Sequence, residues 1–393
     1  MGAQMSHQTA QSERLRVGVI GGGAWGLPAA AELAARGHHV TLIDGHGVGN
    51  PLGSSSGPTR LWRLSHPDRL RVRLAQLAVE AWKRLEAESG RTLLLYRGLL
   101  WRGESSAAVA TALAAEHVDS TWVDSGDVGR FFPGLRANGQ AACWQPDAGP
   151  VLAADALVAQ LARFERAGGR VWAGRWVTRI ELTDSGAQLL LGAGGADGVL
   201  DVDALVIAAG PWTSALLPSL GVEVQLDPVL EQVAYLEGEG SADLPCLFDA
   251  PLDGEPGLYA MPTPGLGYKI GLDQPLRPFD ILDADRTPDP GIDAVIEARV
   301  ARDFAALVPH VTSSQVCSWT DAPDGRFIID ASHGGRVVLA CGDSGEGFKF
   351  SALLGELLAD RVEGLAPDAD IASFGRQRLA ELAPGQARTT LGS

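Results

Sequence analysis

An α/β fold interleaved with a separate mixed sheet is what this 393-residue sequence predicts, and three observations predict it. Residues 16–44, "RVGVIGGGAWGLPAAAELAARGHHVTLID", read as strand, glycine turn, helix, strand. Turns of small residues between an apolar strand and a helical pattern return at "DALVIAAGPWTSALL" and at "GRVVLACGDSGEGFKFSALLGELLAD". From Asp227 to Asp273 the pattern changes to short strands broken by proline and glycine, such as "LYAMPTPGLGYKIGLD", as expected of an antiparallel sheet outside the α/β part.

The first unit is the most explicit. Val17 to Ile20 form an apolar run too short for a helix, Pro28 is tolerated in a helix's first turn, and Gly37 sits where a C-terminal cap belongs. Gly21, Gly23 and Gly26 have the G-x-G-x-x-G spacing: a tight turn, close approach of backbone to a pyrophosphate, and close packing of helix on strand. Asp44 ends the second strand, where a carboxylate can accept hydrogen bonds from a ribose. The unit therefore predicts a Rossmann-like dinucleotide site, without choosing between NAD and FAD.

Leu74, Leu77, Ala78, Ala81, Trp82 and Leu85 recur at helical spacing between Leu70 and Glu88, which predicts a core-facing helix stopped by Ser89-Gly90. A second helix is predicted from Ala154 to Ala167, then strand-like "RVWAGRWVTRIEL", then a buried strand from Ala204 to Ala209 that turns at Gly210-Pro211 into another helix. Two interleaved domains follow: residues 14–90, 150–222 and 318–385 for the dinucleotide, and 91–149 and 223–317 for the substrate. Residues 1–13 and 386–393 are expected to be disordered tails. Three small-residue turns that converge on one cofactor suit a long one, and FAD is long enough to need them.

Composition narrows the ligand. A net charge of -16 argues against nucleic acid or an anionic membrane as partner, because phosphates are repelled. The N-terminal residues lack the apolar core of a secretory signal, and no run approaches the ~18 apolar residues of a membrane span. A soluble, cytoplasmic chain is expected. Cys143, Cys246, Cys317 and Cys341 show no metal-ligand or disulfide spacing, so no metal is expected and the ligand is a small molecule. Cys341, inside the apolar run "VVLAC", reads as core.

The remaining motifs carry a resemblance. "CSWTDAPDGRFIID" followed by "GDSGEGFKFS", with "GSSSGPTRLWR" early in the chain and "GYKIG" in the sheet, resembles the monomeric sarcosine oxidase family of amine-oxidising flavoproteins, from about Arg16 to about Asp360. That family includes N-methyltryptophan oxidase, pipecolate oxidase and the piperideine-2-carboxylate oxidase of nikkomycin biosynthesis. The resemblance implies a two-domain flavoprotein of the D-amino-acid oxidase type, working as a monomer.

It also implies roles. Cys317 would be bonded through sulfur to FAD, an attack that needs its thiolate. Lys269 would lie over the flavin and activate oxygen, since a cation about 4 Å from reduced oxygen lowers its energy by several kcal/mol at an effective dielectric near 20. Alternation along a strand places Lys269, Gly271 and Asp273 on one face, with Gly271 leaving room for a small gas or a water. Arg63 and Lys349 would hold a substrate carboxylate, and Arg60 would lie along the flavin. Further cofactor contacts fall on Ser54, Thr59, Val177, Gly210, Trp212, Gly342, Gly345, Gly347 and Lys349. The last helix, beginning near Ser351, would point its N-terminus at the flavin.

Departures matter equally. Ser55 and Ser56, Asp273 and Glu346 replace family histidines, and Trp319 replaces a tyrosine, whereas Tyr259 keeps a pocket tyrosine. Two carboxylates for imidazoles make the cavity more acidic and make sarcosine a poor substrate; either carboxylate is a candidate to bind a second amine or ring nitrogen, or to take a proton. The expected function is oxidation of a secondary or cyclic amino acid to an imine by FAD, with O2 reduced to hydrogen peroxide. The alternatives are a flavin amine dehydrogenase feeding a quinone or protein acceptor, and an N-demethylase of an N-methyl amino acid.

Overall fold

The computed structural model describes residues 14–192 and 198–381. The expected tails, 1–13 and 386–393, lie outside the described residues, as do residues 382–385.

A six-stranded sheet runs in the order Ile328–Ser332, Val337–Cys341, Ala204–Ile207, Arg16–Ile20, His39–Asp44 and Arg170–Ala173. All neighbours pair in parallel except the first edge strand. The three central strands, Val337–Cys341, Ala204–Ile207 and Arg16–Ile20, are apolar runs because both faces are covered. One face packs on the helix Gly26–Ala35, whose Leu27, Ala29, Ala30, Ala31, Leu33 and Ala34 are buried against the helices Ala153–Arg166 and Ser351–Val362. Packing is close: a Cβ on Gly355 would stand 2.7 Å from the Cβ of Pro28. The other face meets an antiparallel layer of Trp176–Thr183, Gly186–Gly192 and Gly198–Val202.

A nine-stranded mixed sheet forms the second layer. Its antiparallel part contains Asp227–Leu236, Leu258–Thr263 and Gly267–Leu272, with the long strand Val311–Asp321 along the other side of Asp227–Leu236. Cys246–Asp249 joins it to Leu99–Arg102 by a parallel pairing. Residues 227–273 do form short strands, and residues 99–145 extend the same sheet.

Two local expectations need correction. Leu77 is 51% exposed; Val72 and Ala75 complete the buried stripe of the helix Arg69–Ser89 instead. That helix starts at Asp68, whose carboxylate accepts from the Arg71 amide at 2.9 Å, and stops at Gly90, whose φ is 68°. The segment after Gly210 is not an α-helix but two 3₁₀ turns, Gly210–Ala215 and Leu217–Leu220. Pro211 and Pro218 supply no amide hydrogen there, so a continuous ladder cannot form. "RVWAGRWVTRIEL" is two strands in two different sheets. Among the described residues no helix is long and apolar enough to cross a membrane.

Candidate active site and cofactor cavity

A cavity of about 670 Å³ opens between the carboxyl ends of the parallel strands and the face of the mixed sheet. Loops after parallel strands diverge there, which is why such folds bind ligands at this edge.

At one end lies the glycine turn. Gly21 has φ 101°, and a Cβ on it would stand 2.2 Å from the Ala208 carbonyl oxygen; a Cβ on Gly26 would stand 2.0 Å from the Gly21 carbonyl oxygen. Gly21 therefore lets the turn pass against the end of the neighbouring strand and Gly26 serves the packing of helix on strand; Gly26 is not on the cavity wall. Gly23 is on the wall, where a Cβ would meet only the Ser55 Oγ at 3.0 Å. The amide of Gly22 donates to Asp44 Oδ2 at 2.6 Å, and those of His46 and Gly47 donate to Asp44 Oδ1 at 2.9 and 2.7 Å. These bonds fix the carboxylate and leave lone-pair capacity for a ligand hydroxyl.

In the middle lie Cys317, Arg60 and Lys269. Cys317 is on the strand Val311–Asp321, directly across from Glu231. Burial pushes its thiol up, against the pull of the Arg60 and Lys269 charges. Arg60 donates to the carbonyl oxygens of Ser54 and Thr59, both at 2.8 Å. Lys269 is 3% exposed and donates to the Thr59 carbonyl oxygen at 2.7 Å. Burial, and then the charge of Arg60, hold its ammonium well below the usual lysine range. Thr59 itself is off the wall, and its Oγ1 pairs with Thr263 Oγ1 at 2.7 Å; it acts by holding Lys269. Gly271 does not leave room for a gas: its register partner is Tyr259, and a Cβ would stand 2.3 Å from the Tyr259 ring. Burial keeps the Tyr259 phenol protonated far above its usual range.

At the far end Arg63, Glu346 and Lys349 share one wall and are each at most 8% exposed. Arg63 Nη2 donates to Glu346 Oε1 at 2.8 Å, and Lys349 Nζ lies 3.7 Å from the same oxygen. Arg71 Nε lies 3.1 Å from Glu346 Oε2 as an ion pair, and that oxygen accepts no hydrogen bond among the described residues. Burial would raise the Glu346 carboxyl, but Lys349, Arg71, His66 and Arg63 together hold it well below the usual range. Burial brings Lys349 down to about 7, with Glu346 opposing and the two arginines assisting.

Of the residues singled out in the sequence, Gly21, Gly23, Asp44, Ser54, Arg60, Arg63, Val177, Gly210, Trp212, Tyr259, Lys269, Cys317, Trp319, Gly342, Gly345, Glu346, Gly347 and Lys349 reach this one wall. Gly26, Thr59 and Asp273 do not. The strand Gly267–Leu272 ends one residue before Asp273, whose amide bonds the Gly257 carbonyl at 2.8 Å, so alternation no longer governs its side chain. Sequence reasoning missed Arg71 and His66, which stand behind Glu346, and His46 and Trp176, whose rings pack with each other and with Trp212. Cys341 is buried in its strand and also borders the cavity.

Comparison with known proteins agrees with this geometry. Residues 16–361 match the family of FAD dependent oxidoreductases designated DAO. The chain belongs to that family. It is 28% identical over 379 residues to the monomeric sarcosine oxidase of Bacillus sp. (strain B-0618), across 92% of this chain and 95% of that protein. It is also 28% identical to the peroxisomal sarcosine oxidase of Homo sapiens, across 93% of this chain and 96% of that protein. The crystal structure of NikD, an unusual amino acid oxidase essential for nikkomycin biosynthesis, superposes with a TM-score of 0.81 at 24% identity, covering 92% of this chain and 97% of that one. The fold is thus that of a two-domain flavoprotein, and FAD is the cofactor of this oxidoreductase.

The residues present fit FAD. Gly22 and Gly23 leave the turn's backbone open on the wall, ahead of the ten-residue helix Gly26–Ala35 whose N-terminus favours phosphate. Trp319, 6% exposed on the same wall, has an indole Nε1 with no partner among the described residues, a donor left for a ligand.

Proposed function

We propose that this enzyme oxidises a secondary or cyclic amino acid at a C–N bond to the imine and reduces O2 to hydrogen peroxide. The observation that carries this reading is the placing of three buried cations, Lys269, Arg63 and Lys349, along one cavity with Cys317. FAD, when bound, supplies the two-electron redox chemistry between the amine carbon and oxygen.

Arg63 and Lys349 anchor the substrate carboxylate and so aim the reacting C–H bond. The substrate amine reacts uncharged, because a protonated nitrogen has no lone pair to assist departure of hydride from the neighbouring carbon. Tyr259, protonated, is a hydrogen-bond donor at the same wall. Lys269 stabilises the negative charge that arrives on oxygen, and its bond to the Thr59 carbonyl holds it in place without a counter-ion that would cancel that charge. Cys317 is the attachment point of a covalent flavin, with Arg60 and Lys269 favouring its thiolate. A monomer in the cytoplasm accords with four unpaired cysteines and with the monomeric relative.

The test is an oxygen-electrode and peroxide assay over sarcosine, N-methyltryptophan, proline, pipecolate and piperideine-2-carboxylate. One peroxide per O2 consumed with any of them supports the reading. Flavin reduction that feeds only a quinone in air assigns a dehydrogenase instead.

A further inference from the structure

Glu346 is placed unlike an ordinary structural ion-pair partner. Three cations converge on it: Arg63 and Lys349 from the cavity wall, and Arg71 from behind. Arg71 also pairs with Asp68 at 3.2 Å, so with Lys349 protonated the group of five carries one surplus positive charge. The donors of Arg63 that face Glu346 and the chain behind it bond to protein: Nη2 to Glu346, and Nη1 to the Ser65 carbonyl oxygen and to His66 Nδ1. Lys349 Nζ is 3.3 Å from the carbonyl oxygen of Glu346 itself. The carboxylate thus lies between the two wall cations, while its second oxygen is ion-paired with Arg71 and accepts no hydrogen bond among the described residues.

We propose that Glu346 is a resident carboxylate in the anion subsite of Arg63 and Lys349, and that a substrate carboxylate binds only by displacing it. Arg71 is the pivot: Oε2 stays on Arg71 while Oε1 leaves Arg63, and the surplus positive charge accepts the newcomer. The displacement costs binding energy that a small amino acid cannot recover elsewhere, so Glu346 selects for substrates with enough further contact area to offset it. This specificity role deepens the amine-oxidase reading and rests on it for the substrate, though not for the subsite.

The test uses the flavin-loaded enzyme and acetate as probe, followed by calorimetry and by the change in the bound flavin's spectrum. We expect Glu346→Gln to bind acetate at least about tenfold more tightly than the wild type. Glu346→Asp, which keeps the charge but draws it back from Arg63, should fall between the two. In turnover, Glu346→Gln should lower the KM of proline more than that of pyrrolidine, which has no carboxylate. Wild-type binding of acetate as tight as that of Glu346→Gln overturns the inference. If Glu346→Gln does not fold, the aspartate variant decides: acetate binding no tighter than the wild type overturns it. Acetate binding does not depend on turnover, so the absence of any oxidised amine would defeat the function reading and leave the subsite result standing.

Discussion

The Nζ of Lys269 donates to the backbone carbonyl oxygen of Thr59 at 2.7 Å, and this bond ties the mixed sheet to the segment that carries Arg60 and Arg63. A buried ammonium with a neutral acceptor keeps its full charge available to the cavity. Lys269→Met should slow reoxidation of the reduced flavin by O2 by roughly 100-fold or more, the order expected from losing a few kcal/mol of charge stabilisation. Because burial holds the Lys269 ammonium well below the usual lysine range, the wild-type oxygen reaction should also slow as pH rises, from a point well short of lysine's ordinary pKa. Stopped-flow mixing of anaerobically reduced enzyme with O2 across pH measures both.

Cys317 should retain flavin through denaturation. Acid precipitation of the wild type is expected to give a yellow pellet, and of Cys317→Ser a colourless one with the flavin in the supernatant. Absorbance of pellet and supernatant decides it.

Gly23 and Gly26 should fail differently when replaced by alanine. In Gly26→Ala the new Cβ meets a backbone oxygen at 2.0 Å, an overpacked position worth about 1–3 kcal/mol or more of lost stability. In Gly23→Ala it meets only a serine hydroxyl at 3.0 Å, so the chain should fold but bind less FAD, since the turn's backbone is pushed from the pyrophosphate. Thermal unfolding and the flavin-to-protein ratio separate the two.

Asp343, on the cavity wall, has its carboxyl raised to about 7, chiefly by burial, although the Thr320 amide donates to it at 3.0 Å. A carboxyl raised on folding gives stability that is present below its unfolded value and lost as pH rises through the folded one. The wild-type Tm should therefore fall, relative to that of Asp343→Asn, between about pH 4 and about pH 7, by a few degrees. Thermal scans of both proteins over that range check the sign.

The local βαβ unit was legible because its signals are short-range: a strand, three glycines and an acid at fixed spacing, each with a backbone reason. Cys317 and Lys269 were legible only through company, since one cysteine or one lysine in a strand ordinarily means packing or solvation. What escaped depends on where chain segments meet. Arg71 looked like a solvated helix arginine, yet the helix Arg69–Ser89 delivers it to Glu346, 275 positions later in the chain. Asp273 looked aligned with Lys269 because alternation was carried one residue beyond the strand's end at Leu272. Leu77 fell on the helical stripe by spacing, but no neighbouring element covers it.

Electron transfer from a secondary amine to the bound flavin is the central claim, and anaerobic mixing tests it most directly. Proline, pipecolate, sarcosine, N-methyltryptophan and piperideine-2-carboxylate would each be added to the oxygen-free enzyme while the oxidised-flavin absorbance is followed. Loss of that absorbance with at least one of them, and its return on admitting O2 with peroxide released, is the predicted result. A flavin that stays oxidised in the presence of every amine while dithionite still reduces it would contradict the account.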